Sequence, residues 1–208
     1  MPFELWLTFV AASTALLMIP GPTVLLVLSY ALSQGRRVAV ASATGVALGD
    51  FIAMTASLLG LGALVLASAT LFTVLKWIGA LYLVWMGLKL LRAPHSEGLD
   101  TIATSDTTPR KVLGHTAAVT ALNPKSIAFF IAFVPQFVSI NAPLAPQFAI
   151  LIATFVGLAA LNALTFALLA DKLRMTIKRP SVITWLTRSG GVALVGMGVM
   201  TATLRRAS

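Results

Sequence analysis

The stretch His115–Val138, HTAAVTALNPKSIAFFIAFVPQFV, most constrains what this chain can fold into. It is apolar for long enough to cross a bilayer, whose core of about 30 Å takes about 20 residues of helix. Yet near its middle it carries Asn123-Pro124-Lys125. Proline removes a backbone donor and clashes with the preceding turn, so the helix must kink or break there. In hydrocarbon the freed carbonyls need partners, and such a break is tolerated only against protein or a wet cavity. A lysine beside it adds roughly 2.5–3.5 kcal/mol of insertion cost. A chain that carries both features at mid-membrane is expected to use them, and the remaining segments read as their housing.

Composition agrees with a membrane setting. Of 208 residues, 58% are hydrophobic and only 10% charged, where a soluble domain carries about 25% charge. The net charge of +9 raises the question of nucleic acid. The basic residues instead cluster in short loops between apolar runs, the pattern of positive-inside anchoring against membrane lipids. No basic, aromatic-laced soluble segment is present, so no nucleic-acid partner is expected. Zero cysteines exclude disulfides, iron–sulfur ligation and thiolate metal sites. The first span starts near Phe3 without a basic leader and runs past 20 apolar residues, so it is expected to be retained rather than cleaved.

Taken in order, span 1 is expected over about Phe3–Leu32, broken near its middle by Pro20-Gly21-Pro22. Gln34-Gly35-Arg36-Arg37 reads as a basic turn. Span 2 covers about Val38–Leu66, with Gly45 and Gly49 on a small-residue face and Asp50 directly after. Span 3 covers about Leu71–Leu91. Ala93–Lys111, rich in Ser, Thr, Asp and Pro, reads as the one long polar loop. Span 4 is the opening stretch, and Asn141–Pro146 an uncharged turn. Span 5 covers about Phe148–Ala170, Asp171–Arg188 is a basic connector, and span 6 covers about Ser189–Leu204. Eleven Lys and Arg fall in loops 1–2, 3–4 and 5–6, against three on the opposite side. The positive-inside rule then places those loops in the cytoplasm and both termini outside.

The two halves of the chain can be laid over each other. Gly79-Ala-Leu-Tyr-Leu-Val-Trp-Met-Gly87 aligns with Gly190-Gly-Val-Ala-Leu-Val-Gly-Met-Gly198, with glycines eight apart in both. Gly45 precedes Asp50 by five residues, as Gly157 precedes Asn162. Pro20 in span 1 answers Pro124 in span 4. Three matches in one order point to a 3+3 repeat. An odd number of spans per half makes the halves inverted, an architecture in which interrupted helices meet near the midplane at the repeat interface. The fold class expected is therefore an all-α integral membrane protein, a single transmembrane domain over 1–208. It has six transmembrane helices as a 3+3 inverted repeat (about 3–92 and 114–206, joined by a cytoplasmic loop of about 93–113), with helices 1 and 4 broken.

Few residues could carry chemistry at membrane depth. Pro20-Gly21-Pro22 is either a structural kink or, with the second break, a place where half-helix ends meet the carboxylate and ammonium of a zwitterion. Asp50 is the only acid well inside a span. It is a packing residue, a proton carrier, or a partner to a substrate ammonium or to Lys125. Lys125 either snorkels toward water or pairs with Asp50 or a substrate carboxylate. Asn123 and Asn162 are interhelical hydrogen-bonding groups or part of the same site. Gln136 reads as interfacial, and Tyr82, Trp77 and Trp85 as packing or belt residues. His95 and His115 lack zinc-site spacing, and no phosphate loop, Ser-His-Asp set or nucleotide fingerprint occurs. The reading is therefore of a non-enzyme with no cofactor and no metal site.

Pro20-Gly21-Pro22, Gly49-Asp50, Gly79-Ala80-Leu81-Tyr82-Leu83 with Trp85 and Gly87, and Asn123-Pro124-Lys125 followed by Phe129-Phe130 and Pro135-Gln136-Phe137 together resemble the lysine-exporter and homoserine–threonine-resistance (LysE/RhtB) family. The resemblance covers nearly the whole chain. It implies an inner-membrane exporter of amino acids or their derivatives, driven by the proton-motive force. It points to Pro20, Gly21, Pro22, Asn123, Pro124 and Lys125 as substrate-binding and to Asp50 as proton-coupling, while Asn162 rests on the repeat alone. A small neutral amino acid is the expected substrate, since a cationic one would want a second acid. A transporter of another solute such as a metal ion, and a non-transporting scaffold, are the alternatives. The small-residue faces at Gly45/Gly49 and Gly190–Gly198 could serve packing within the chain or a homodimer.

Overall fold

The computed structural model describes residues 1–19, 21–92, 107–139, 142–177 and 180–203. Among these every element is helical: α1 Phe3–Met18, α2 Pro22–Ala67, α3 Ala69–Arg92, α4 Pro109–Ala121, α5 Pro124–Ala132, a 3-10 turn over Val134–Phe137, α6 Leu144–Ile177 and α7 Pro180–Thr203. Three helical stretches are long and apolar enough to cross a membrane, Pro22–Leu64, Thr73–Arg92 and Leu144–Ala170. The pair α4 and α5, bent by 46°, makes a fourth when counted as one broken span.

Both expected breaks are present. α1 ends at Met18, and α2 restarts at Pro22 behind the extended Gly21. α4 ends at Ala121, and α5 restarts at Pro124. In each restart proline takes the first helical position, where its missing N–H costs nothing. Asn123 caps α5, its Oδ1 accepting from the Lys125 N–H at 3.1 Å.

Three boundaries differ from expectation. The turn after Gln34 narrows to one residue. Gly35 alone leaves the helical region, with φ 78 and ψ −176, a conformation glycine adopts without a Cβ penalty. The loop expected over 93–113 gives way to helix at Pro109, because the Thr108 hydroxyl accepts from the Lys111 N–H and Pro109 fills the first position; residues 93–106, His95 among them, lie outside the described residues. The connector expected over Asp171–Arg188 is mostly helix. α6 continues to Ile177 and α7 begins at Pro180, since charged, unbranched residues extend a helix past an apolar span at little cost.

Packing follows the small residues. A Cβ on Gly45 would lie 2.6 Å from the Leu113 carbonyl, and one on Gly49 2.5 Å from that of Ala117. The arm 36–67 of α2 thus runs parallel to α4 in backbone contact. Ser42 and Thr116 share a buried hydrogen bond at 3.2 Å across the same seam. α3 and α7 form a second seam: a Cβ on Gly87 would lie 2.6 Å from the Gly191 carbonyl, and one on Gly198 2.8 Å from that of Ala80. These two helices are therefore antiparallel. Both small-residue faces considered for a homodimer are thus used inside the chain.

On one side of the breaks the core is aromatic. Phe9 of α1, Phe129, Phe130, Phe133 and Phe137 of α5 and its 3-10 turn, and Phe155 of α6 are all buried. Their rings meet in a chain of edge and offset contacts, from Phe130 on Phe155 at 4.8 Å to Phe9 on Phe137 at 5.2 Å. Such pairs each contribute about 0.5–1.5 kcal/mol beyond area burial. Gln136, expected at the interface, is partly buried and donates to the Thr201 hydroxyl at 2.7 Å, tying the turn to α7.

Candidate functional site

The two breaks face each other across a small cavity. Its wall includes Leu16 and Leu17 at the end of α1, Thr23 at the start of α2, Asp50 midway along α2, Asn123 and Lys125 at the second break, and Asn162 of α6. The sequence-expected residues Asp50, Asn123, Lys125 and Asn162 are therefore brought together. Gly21 stands at its edge, where a Cβ would come 3.5 Å from Lys125 Nζ. Pro22 and Pro124 open α2 and α5 beside it. Pro20 lies outside the described residues.

Backbone geometry explains why these side chains point inward. The last carbonyls of α1 lose their i+4 partners, because the helix stops at Met18, and only a 3.3 Å bond from the Ile19 N–H to the Leu16 carbonyl closes the end. Side chains from the other half of the sequence take them. Lys125 Nζ donates to the carbonyls of Leu16 and Ile19, both at 3.1 Å. Asn162 Nδ2 donates to the carbonyl of Leu17 at 3.2 Å. A cation at this position also meets the negative end of the α1 dipole. Across the break, α2 begins at Pro22, and Gly21 before it has no side chain to cap the first N–H groups. The two ends thus offer free donors on one side and carbonyl acceptors on the other. Asn123 links the breaks, its Nδ2 donating to Thr23 Oγ1 at 3.2 Å.

Asp50 sits in the wall at 2% exposure, and its Oδ1 has no hydrogen-bond partner. Thr120 Oγ1, also in the wall, is likewise buried without one. Buried polar atoms are ordinarily satisfied, so both have hydrogen-bonding capacity left over at the cavity wall. The space open to water centres is about 30 Å³, enough for about two waters and well short of an amino acid. Val24, Val27, Val46, Ala159, Ala163 and Phe166 contribute apolar lining.

Sequence reasoning missed Thr23, Ser126 and Thr120, which also line the cavity. Thr23 follows Pro22 directly, Ser126 follows Lys125 and Thr120 precedes Asn123 by three residues, so a search for hydroxyls within a turn of each break finds all three. The carbonyls of Leu16 and Ile19 carry no residue-type signal at all.

Two interrupted helices closing over a buried acid and lysine are the arrangement of a membrane transport protein. A family model described as "LysE type translocator" matches residues 14–205, and the chain belongs to that family. It is 32% identical over 207 residues to a homoserine/homoserine lactone efflux protein of Salmonella typhimurium, covering 100% of both chains. It is 31% identical to an uncharacterized membrane protein of Vibrio cholerae, over 99% of this chain and 100% of that one. A leucine efflux protein of Enterobacter sp. is 28% identical over 166 residues, 76% of this chain and 75% of its own. No solved structure matches the chain.

Proposed function

We propose that this protein exports a small neutral amino acid, or a derivative of one, from the cytoplasm across the inner membrane in exchange for protons. The observation that carries the reading is the convergence of Asp50, Lys125 and Asn162 on the two broken helices. The family and the efflux proteins among its relatives give the direction of transport.

The cavity supplies both poles of a zwitterion. The carbonyl end of α1, with Asp50 nearby, suits an ammonium, while the uncapped start of α2 and the Lys125 amine suit a carboxylate. Asn123 and Thr23 hold the breaks together between those poles. Val24, Val46 and Phe166 offer an apolar wall to a short side chain. Asp50 is the proton carrier. One proton moving inward down 100 mV supplies about 2.3 kcal/mol, which sustains roughly a 50-fold gradient of a neutral solute.

Six spans are proposed for the transmembrane domain. The stretch Pro22–Leu64 holds 43 residues, about 65 Å of helix and twice the hydrocarbon core, so it is read as two arms hinged at Gly35. α1 with the arm 22–34 is span 1, and the arm from 36 onward is span 2. The seam of α3 and α7 supports the inverted repeat. The alignment of Gly79 with Gly190 pairs Ala80 with Gly191 and Gly87 with Gly198. Exchanging the halves therefore carries the Ala80–Gly198 contact onto Gly191–Gly87, as a two-fold relation requires.

With the basic loops cytoplasmic, the phenylalanine cluster lies on the outer side of the site. In the repeat, Phe133, Phe137 and Phe155 correspond to Ser29, Ser33 and Ala43 on the inner side. The heavier plug is the outer one, which fits a site loaded from the cytoplasm.

The deciding experiment is efflux from cells preloaded with labelled amino acids, wild type beside Asp50→Asn and Lys125→Gln. Faster exit of one neutral amino acid with wild type, lost in both variants, is expected. No accelerated exit across the panel defeats the reading.

A further inference from the structure

We propose that Lys125 is a built-in occupant of the ammonium subsite, and that a substrate loads by displacing it. This rests on the reading of the cavity as the substrate site. Lys125 belongs to the first turn of α5, yet its Nζ crosses the break to the far end of α1. There it holds the carbonyls of Leu16 and Ile19 at 3.1 Å each. Those oxygens are what a primary ammonium from solution would seek at this helix end: carbonyls at the negative end of a dipole, beside a buried acid, that of Leu16 keeping a lone pair for it besides the Ile19 N–H it accepts at 3.3 Å. The lysine side chain ends in that same group.

Gly21 lies alongside this reach, a Cβ there standing in ordinary contact with the amine at 3.5 Å from Nζ and 3.8 Å from Cε. Asn162 takes the neighbouring Leu17 carbonyl, so three carbonyls at the end of α1 are engaged by side chains of the second half. With the amine seated, the remaining space is about 30 Å³. The tethered amine has a very high local concentration, and a simple ammonium in solution competes poorly against it. A zwitterion differs, because its carboxylate gives the displaced Lys125 a new partner. Selection for a molecule carrying both groups then follows from one residue: an amine without a carboxylate cannot draw the lysine away.

The test is thermal unfolding of the purified, detergent-solubilised protein with propylammonium chloride, the fragment removed by Lys125→Ala. Sodium chloride and tetramethylammonium chloride at equal ionic strength serve as controls. The expected result is no specific shift in wild type, and a saturable rise in Tm of about 3 °C or more in Lys125→Ala, given by propylammonium but not by tetramethylammonium, which has no N–H. If Lys125→Ala does not fold, Lys125→Met, which keeps a stem of the same length and removes only the amine, is read the same way with ammonium chloride. An equal shift in wild type, or none in the variant that folds, overturns the proposal. No transport enters the measurement, so its failure is separate from a failure of the export reading, which efflux alone decides.

Discussion

Asn162, midway along α6, donates its Nδ2 to the carbonyl oxygen of Leu17 at 3.2 Å. The bond joins residues 145 apart in sequence and pins the end of the first half-helix to a continuous helix of the second half. Asn162→Leu removes the donor and leaves the carbonyl to be satisfied otherwise. Interhelical hydrogen bonds in membranes average about 0.6 kcal/mol, so thermal unfolding should shift only slightly. Efflux of the transported amino acid should fall about tenfold, because the α1 end loses its register at the cavity. Asn162→Leu with wild-type efflux removes this residue from the site.

Asp50→Asn keeps the shape of the buried side chain and removes its capacity to carry a proton. The variant should fold, with a Tm close to wild type. Uphill export driven by an imposed pH gradient should be lost. Exchange of labelled for unlabelled substrate at equilibrium, which needs no net proton movement, should persist. Export in Asp50→Asn that still tracks the pH gradient would falsify the coupling role.

The close seam at Gly49 predicts a sharp contrast among glycines. Gly49→Ala places a Cβ 2.5 Å from a backbone oxygen of α4 and should destabilise by about 1–3 kcal/mol. Gly60→Ala, with nothing within 4 Å, should be neutral or gain up to about 1 kcal/mol of helix propensity. Unfolding of the two variants in one detergent makes the comparison.

Asn123→Ala deletes the cap of α5 and the link to Thr23 together. A lost cap costs about 1 kcal/mol. Asn123→Asp keeps the capping oxygen and loses only the donor to Thr23, so it should recover most of the stability but not the efflux. Equal stability of the two variants removes the cap from the explanation.

Phe129 meets Phe9, Phe130, Phe133 and Phe155. Phe129→Ala should cost about 3–5 kcal/mol and loosen the plug proposed for the outer side. A cysteine introduced at the buried Ser126 should then react faster with an impermeant thiol reagent added outside the cell than it does in the Phe129 background. Unchanged labelling removes the gate assignment from the cluster.

The sequence made the breaks legible, because proline acts through its own covalent structure wherever it sits. Asp50, Lys125 and the asparagines stood out because a polar group is conspicuous in an apolar run. The helix ends were harder to read. Past Ala170 the apolar signal stops, while α6 continues to Ile177, because hydropathy reports the bilayer and not the helix. The Thr108-Pro109 start was readable as a cap followed by proline, and the polar composition before it masked it. The phenylalanine cluster and the reach of Lys125 to the end of α1 are tertiary facts. Phe9 and Phe155 reach Phe129 from helices far apart in sequence, and no local pattern distinguishes them from other apolar residues.

The seam between α3 and α7 supplies no side chain to the cavity, whose described wall comes from α1, α2, α4, α5 and α6 and the residues between them. On the proposed reading of the cavity as the substrate site, recognition and framework are thus carried by different helices. A lineage can alter the residues around the substrate one at a time while the glycine-lined seam stays fixed. Relatives that handle dissimilar solutes are then expected to diverge at positions such as Val24, Val46 and Phe166 before they diverge at Gly87 or Gly191, and swapping cavity positions between them should transfer preference without rebuilding the molecule.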